Sequence, residues 1–302
     1  MLSPTLLHAQ GPTVSRLVLG AWRFIDAGLD AAAVRDFVAA AADLGITTVD
    51  HADVYGDYQT EALFGQALRH APDLRGRLQV VTKCGIRLVS ARRPAHRIKH
   101  YDTSRAHLFA SVDASLGALG VERIDLLLLH RPDPLMDADE TARALDDLVI
   151  SGKVAHLGVS NFGRAQFDLL ASRLRAPLAT NQIEVSLLHP APFLDGTLDD
   201  CQRLRIAPMA WSPLGGGRLF VHGEARADRV RSALQTLQGA LGATSIEQVA
   251  LAWLLAHPAR IVPVLGTTRL ERLHESAKAV SLRLDRSHWF TLWEAANGQP
   301  VP

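Results

Sequence analysis

Residues 104–130 read SRAHLFASVDASLGALGVERIDLLLLH. As far as Leu119 the apolar residues recur at helical spacing. Gly120 then stands where such a helix must stop, in the left-handed position that glycine fills without a Cβ clash. RIDLLLLH, which follows, is a short and continuous apolar run, the mark of a strand buried on both faces. A helix running through a glycine into a doubly buried strand is the repeating unit of a parallel α/β protein.

The same unit recurs along the chain. LDAAAVRDFVAAAADLG leads into ITTVD, TEALFGQALRHAPD into RLQVVTK, and DETARALDDLVISG into KVAHLGVS. AQFDLLASRL precedes LATNQIEV, DGTLDDCQRLR precedes IAPMAWS, and SIEQVALAWLLAHPA precedes IVPVLG, with LERLHESAKAV after it. Gly45 and Gly152 end two of these helices as Gly120 ends the first. With RLVLG at 16–20 as the opening strand, there are about eight strand–helix units, the number that closes a (β/α)8 TIM barrel. A doubly wound sheet is the competitor. It would carry a glycine-rich turn after its first strand, whereas this one ends GAWRF, with no G-x-G-x-x-G. The expected organisation is therefore α/β: one barrel domain over 1–302. Residues 1–15 form a hairpin across the bottom, 16–281 the barrel, and 282–302 a C-terminal helix and tail.

Composition narrows the function classes. The chain has 302 residues, 48% hydrophobic, with a formal net charge of +1. Such a balance gives no general attraction to nucleic acid or to a membrane surface. CGIRLVSARRPAHRIKHY, residues 84–101, holds five Lys/Arg and no acid. It lacks interleaved aromatics and reads as a solvated active-site loop after the third strand, not as a nucleic-acid patch. Two cysteines, Cys84 and Cys201, make neither a disulfide framework nor a zinc-ligand set. No apolar run reaches the length of a membrane span, and MLSPTLLHAQGP has no basic start before a long apolar stretch. The expectation is a soluble cytoplasmic protein, a monomer or weak homo-oligomer.

Catalytic groups of a barrel stand at the C-terminal ends of its strands. There the sequence puts Asp50 after the second strand, Lys83 after the third and His130 after the fourth, with Tyr55 in the loop beyond Asp50. Any one of these alone is more often a turn or rim residue; four complementary groups from three consecutive strands read as a site. A lysine ammonium beside a phenol favours the phenolate and lowers its pKa. The lysine needs a carboxylate to stay charged in a low-dielectric pocket, a task open to Asp50. His130 would orient a substrate oxygen. Together they exchange a proton with an oxygen, as carbonyl reduction requires. A metal-dependent hydrolase built from Asp50, His51, Asp53 and His130 is the rival. It has no H-x-H on the first strand, and Asp50 and His51 point to opposite faces of one strand.

VDHADVYG, VVTKCG, LLLLHRPD and GVSNF, in this order and spacing, resemble the motifs of the aldo-keto reductase superfamily over residues 16–281. HRPDPLMDADE and MAWSPLGGGRLF are most similar to its bacterial oxidoreductase group typified by YdhF. The resemblance implies a (β/α)8 barrel that reduces a small-molecule carbonyl substrate with NADPH and no metal. Tyr55 would donate the proton, with Lys83 and Asp50 tuning it and His130 orienting the substrate. Ser160, Asn161 and Gln182 would hold the nicotinamide carboxamide, since an amide needs both donors and acceptors. Trp211 would lie under the nicotinamide, a structural tryptophan being the equal alternative, and Trp22 would be either a pocket wall or a core residue.

Phosphates in such barrels gather at the loops after the seventh and eighth strands. Ser212, Leu214, Gly215 and Gly216 lie in the first of these loops. Gly266, Thr267 and Thr268 lie in the second, before a helix whose N-terminal amides favour an anion. By resemblance Thr267 and Arg272 would contact the 2′-phosphate and Glu275 the adenine amine. The family often has lysine in place of Gly266 and asparagine in place of Ser276; these departures weaken the case for NADPH, with Arg269 a candidate to compensate, and NADH stays the less expected cofactor. A redox-sensing or regulatory subunit that binds NADPH with little turnover is the alternative function.

Overall fold

The computed structural model describes residues 3–302. Eight parallel strands close into a barrel: β1 Val18–Gly20, β2 Thr48–Asp50, β3 Gln79–Cys84, β4 Ile124–Leu129, β5 Val154–Ser160, β6 Leu178–Glu184, β7 Met209–Trp211 and β8 Val262–Leu265. Strand order around the barrel follows chain order, and β8 closes on β1 with Val264 opposite Val18. The fold is the (β/α)8 barrel that the alternating units imply.

Strand parity sorts every side chain to one of two sides. Val81 of β3, Leu126 and Leu128 of β4, and Val262 and Val264 of β8 pack together inside the barrel. Their neighbours Val80, Leu127, Leu129 and Leu265 face the surrounding helices. The same alternation carries inward the residues at the strands' C-terminal ends, Asp50 and Lys83, and turns Cys84 outward into the apolar layer.

A two-stranded hairpin, Thr5–Leu6 with Thr13–Val14, closes the other end. Its Leu7 and Val14 join the interior cluster, and Ala207 N–H donates to the Leu7 carbonyl at 2.8 Å. Gly11 lies so close to β6 that a Cβ there would meet the Ala179 methyl at 2.9 Å. The first two residues of the expected hairpin lie outside the described residues.

The helices Ala31–Asp43 (α1), Thr60–Leu68 (α2), Arg105–Leu119 (α3), Ala138–Ile150 (α4), Arg164–Ala171 (α5) and Thr197–Leu204 (α6) follow the sequence reading. Gly120 ends α3 with φ 65°, and Gly45 and Gly152 are likewise left-handed. Besides the short helical turns Tyr55–Tyr58 and Pro72–Gly76, one full helix is additional: α7, Ala225–Ala240, between the glycine-rich loop and helix α8, Ile246–Leu255. Its signal was Ala227, Val230, Leu234 and Leu237 at helical spacing, all buried. α9 spans Leu270–Lys278. The expected C-terminal helix is α10, Arg286–Asn297, locked to α8 by reciprocal bonds from the Trp253 and Trp289 indole N–H groups to each other's carbonyls, both 3.1 Å. Among the described residues no helix is long and apolar enough to cross a membrane.

The basic loop after β3 is more ordered than a solvated loop. Ile86–Arg87 pairs antiparallel with His100–Tyr101. Ile86, Leu88 and Tyr101 pack on Ala52, Val54, Tyr55 and Tyr58. Its charges are partly spent locally: Arg87 pairs with Asp102 at 2.7 Å, Arg92 reaches Asp57 at 3.6 Å, and Arg93 lies over the Tyr58 ring.

Candidate active site

Lys83 is the centre of the arrangement at the top of the barrel. Its Nζ donates to Asp50 Oδ2 at 2.6 Å, to the His51 carbonyl at 2.8 Å and to the Tyr55 hydroxyl at 3.1 Å. Lys83 and Asp50 are buried, at 1% and 2% exposure, so neither charge is tolerable without the other. Gln182 Nε2 donates to the second Asp50 oxygen at 2.8 Å, which leaves the carboxylate fully engaged. His130 completes the group, its ring edge-on to Tyr55 with centroids 5.9 Å apart. The four residues named from strand ends are therefore brought together.

Gly56, next to Tyr55, is held by sterics. It has φ 55°, and a Cβ would meet Ile25 at 2.5 Å and Thr60 Oγ1 at 2.6 Å. That turn fixes the backbone from which the phenol reaches back to Lys83.

Electrostatics correct one expectation. The phenol of Tyr55 is pushed above its ordinary pKa, not below it. Burial is the largest influence; the positive charge of Lys83 opposes it, and Asp50 in turn works against Lys83. For Lys83, burial disfavours the ammonium, yet Asp50 and Tyr55 together outweigh it and hold the pKa above the ordinary lysine value. The resting pair is thus an intact phenol beside a charged ammonium. The His130 imidazole is driven well below its usual range by burial and by Lys83, Arg131 and Lys99, so the ring is neutral. Its Nδ1 is enclosed with no hydrogen-bond partner among the described residues, which leaves Nε2 as the nitrogen able to reach a ligand.

Behind the strands, His51 faces away from Asp50 and packs against the Phe64 ring at 4.5 Å. Asp53 turns to α3, where it accepts from Ser111 Oγ at 2.7 Å. Asp50, His51, Asp53 and His130 therefore do not converge as the hydrolase reading required. Burial lifts the Asp53 carboxyl to about 7, partly opposed by the Ser111 bond. A carboxyl raised on folding contributes stability in full below the unfolded value, about 4, and loses it as pH rises through about 7. Between pH 5 and pH 8 the wild-type melting temperature should therefore fall further than that of Asp53→Asn. Parallel losses in thermal melts at the two pH values would mean that Asp53 does not titrate in this range.

A cleft of about 480 Å³ opens in front of Tyr55 and runs across the loops after β7 and β8. Asp50, Tyr55, His130, Ser160, Asn161, Gln182, Trp211, Ser212, Leu214, Gly216, Gly266, Thr267 and Arg272 line it, as does Trp22. Trp22 is 53% exposed, which removes the core alternative and makes it a wall. Trp211 donates its indole N–H to Asn161 Oδ1 at 3.0 Å. Asn161 Nδ2 donates to Ser160 Oγ at 2.8 Å, and Ser160 Oγ to the Gln182 carbonyl at 2.8 Å. Asn161 and Ser212 adopt left-handed backbone, φ 62° and 49°, a conformation that costs a non-glycine residue about 1 kcal/mol or more and collects at functional sites.

Three expected cofactor residues stand elsewhere. Gly215 is packed beneath the loop, where a Cβ would meet Leu188 at 2.7 Å. Thr268 is not on the cleft wall. Glu275 is engaged away from it, bonded to Thr244, to Gln248 at 2.6 Å and to Lys278 at 2.6 Å. Glu247 lines that end of the cleft instead, and Arg269, the proposed compensator, does not. The sequence reading also passed over Arg23, Lys99, Arg131 and Phe220, all on the cleft wall. Only adjacency to His130 could have flagged Arg131.

The cleft suits a dinucleotide on its own chemistry. Gln182 Oε1 accepts no bond within the described residues, and Asn161 Oδ1 has a second lone pair to offer an amide. Gly217 and Gly266 present backbone with open space at the Cβ position, and a Cβ at Gly216 would meet only Ser212 Oγ, at 3.7 Å. Arg272 stands at the far end, over the Phe220 ring and without a carboxylate partner among the described residues. Helix α7 braces the glycine-rich loop: Arg231 of that helix pairs with Asp228 and donates to the Leu219 carbonyl at 2.6 Å.

The Aldo/keto reductase family matches residues 16–297 of this chain. Oxidoreductase YdhF of Escherichia coli (strain K12) is 48% identical over 302 residues, covering 100% of each chain. The 6-dehydroglucose reductase of Agrobacterium fabrum is 49% identical over 289 residues, 95% of this chain and 96% of that one. Among solved structures, a thermostable aldo-keto reductase in complex with the inhibitor epalrestat aligns with a TM-score of 0.80 at 28% identity, over 97% of this chain and 100% of that one.

Proposed function

We propose, from the premise that this chain belongs to the aldo/keto reductase family and is an NAD(P)H-dependent oxidoreductase, that it is an NADPH-dependent, metal-independent carbonyl reductase of the cytoplasm. The observation that carries this reading is the Tyr55 hydroxyl at the cleft wall, 3.1 Å from an ammonium that is itself 2.6 Å from a buried carboxylate. The relative named for reduction of 6-dehydroglucose supports a carbonyl compound as substrate. Buried, unpaired Cys84 and Cys201 fit a reducing compartment.

Each residue's task follows from its state. The reduced nicotinamide, when bound, supplies hydride to the carbonyl carbon. Tyr55, held as the phenol, gives its proton to the oxygen as negative charge develops there. Lys83, held charged by Asp50, stabilises the phenolate that remains, so the proton leaves more easily in the transition state than at rest. His130, neutral, donates from Nε2 to the same oxygen and fixes its direction. Gln182 both steadies Asp50 and offers its free oxygen to the carboxamide, which ties cofactor placement to the lysine–aspartate pair.

Titrating the protein's tryptophan fluorescence with NADPH and with NADH, then following NADPH consumption on a set of aldehydes and ketones, tests this directly. Quenching by NADPH with turnover is the expected result. Binding without turnover on any carbonyl would transfer the assignment to a sensing subunit. For the 2′-phosphate, Arg272→Ala should weaken NADPH on the order of tenfold, as befits one charge-assisted contact at an exposed position. NADH should be little affected; equal weakening of the two would place the phosphate elsewhere.

A further inference from the structure

Four cationic side chains line the cleft: Arg23, Lys99, Arg131 and Arg272. Two belong with the phosphate-favouring loops. Arg23 donates to the Gly216 carbonyl at 3.0 Å, and Arg272 opens helix α9. The other two enter from the opposite side, Arg131 directly after His130 and Lys99 from the hairpin after β3. The Arg131 guanidinium lies 5.7 Å from the centre of the Trp211 ring. Arg131 and Lys99 line the same cleft as Tyr55 and His130, and the charges of both act on the His130 ring. Neither makes an ion pair or a side-chain hydrogen bond within the described residues, whereas Arg87 and Arg92 of the Lys99 loop each pair with an aspartate. The carboxylates on the cleft wall are Asp50, already held by Lys83, and Glu247 at the far end.

We infer that Arg131 and Lys99 are the specificity residues of this reductase, and that its substrate is a small carbonyl compound carrying further acceptor oxygens, hydroxyl or carboxylate, for them to bind. The inference rests on the carbonyl-reductase reading above. A plain hydrocarbon aldehyde would displace water from two cationic heads and return no hydrogen bond, a loss that the apolar wall of Trp22, Ile86 and Leu88 must then offset. An oxygenated chain replaces that water with charge-assisted bonds and still lays its carbon face on Trp22, which is exposed and 6.4 Å from the Tyr55 ring.

The test compares kcat/KM for matched pairs: glyceraldehyde against propanal, and 4-oxobutanoate against butanal. The oxygenated member of at least one pair should be preferred on the order of tenfold or more. In Arg131→Met and Lys99→Met that ratio should fall towards one, chiefly through KM, as expected when a binding contact is lost. The sources separate by salt: a carboxylate's advantage shrinks with ionic strength, and a hydroxyl's persists. Equal or better turnover of the plain aldehydes overturns the inference and leaves the reductase standing. An unchanged ratio in both methionine variants also overturns it. Failure to oxidise NADPH with any of the four, despite cofactor binding, sinks the reductase reading itself, and this inference with it.

Discussion

Tyr55→Phe removes one oxygen atom and should lower the rate of carbonyl reduction by about 10²–10⁴-fold, the range a positioned general acid contributes. The ring remains packed between Trp22 and His130, so the cleft keeps its shape. NADPH binding by fluorescence should stay within about twofold of wild type, the phenol having no part in the proposed cofactor contacts. A single-turnover measurement with saturating NADPH isolates the step. Turnover like that of the wild type would remove Tyr55 from the chemistry, and loss of NADPH binding would show that the substitution had disturbed the cleft.

Lys83→Met carries a double penalty. The reaction loses the charge that supports the departing proton, and Asp50 is left ionised at 2% exposure with only Gln182 to serve it. Breaking a buried ion pair from one side destabilises by about 3–5 kcal/mol. Denaturant titration of the variant should therefore show a lowered midpoint with an unchanged slope. Adding Asp50→Asn should recover most of that stability, because the double variant buries no unpaired charge. Activity should stay lost in both. Recovery of reduction together with stability would mean that the pair serves the fold alone. A midpoint for Lys83→Met equal to that of the wild type would show that water or a counter-ion reaches Asp50.

The two variants separate what the site does from what holds it. Lys83 carries both duties because the strand that bears it is packed on either side, with Val81 inside the barrel and Cys84 outside. Tyr55 comes from a loop and carries only one.

The fold was legible because its signals are local. Gly45, Gly120 and Gly152 end helices by backbone sterics alone, and four leucines in a row can be satisfied only between two apolar layers. Parity then assigned Asp50 and Lys83 to the interior and His51 and Cys84 to the outside without reference to any other strand. Loops are different, since their path is set by what they pack on. Residues 84–101 read as solvated because the sequence is basic; in the fold, Ile86, Leu88 and Tyr101 seat it over Tyr55 and deliver Lys99 to the cleft. Helix α7 was missed because its charged residues mask the narrow apolar stripe of Ala227, Val230, Leu234 and Leu237.

The sequence by itself determined the barrel, the face that carries chemistry and the meeting there of Asp50, Tyr55, Lys83 and His130, since spacing and alternation are properties of the chain. Only the tertiary structure decided three further matters. Glu275 is bound to Gln248 and Lys278, leaving the cleft wall to Glu247. Arg131 and Lys99 share the cleft wall with His130 and make no ion pair or side-chain hydrogen bond among the described residues. Tyr55 rests as a phenol because burial outweighs the pull of Lys83. All three depend on how much water and which neighbours surround a group, and a linear sequence does not contain that information until the chain has folded.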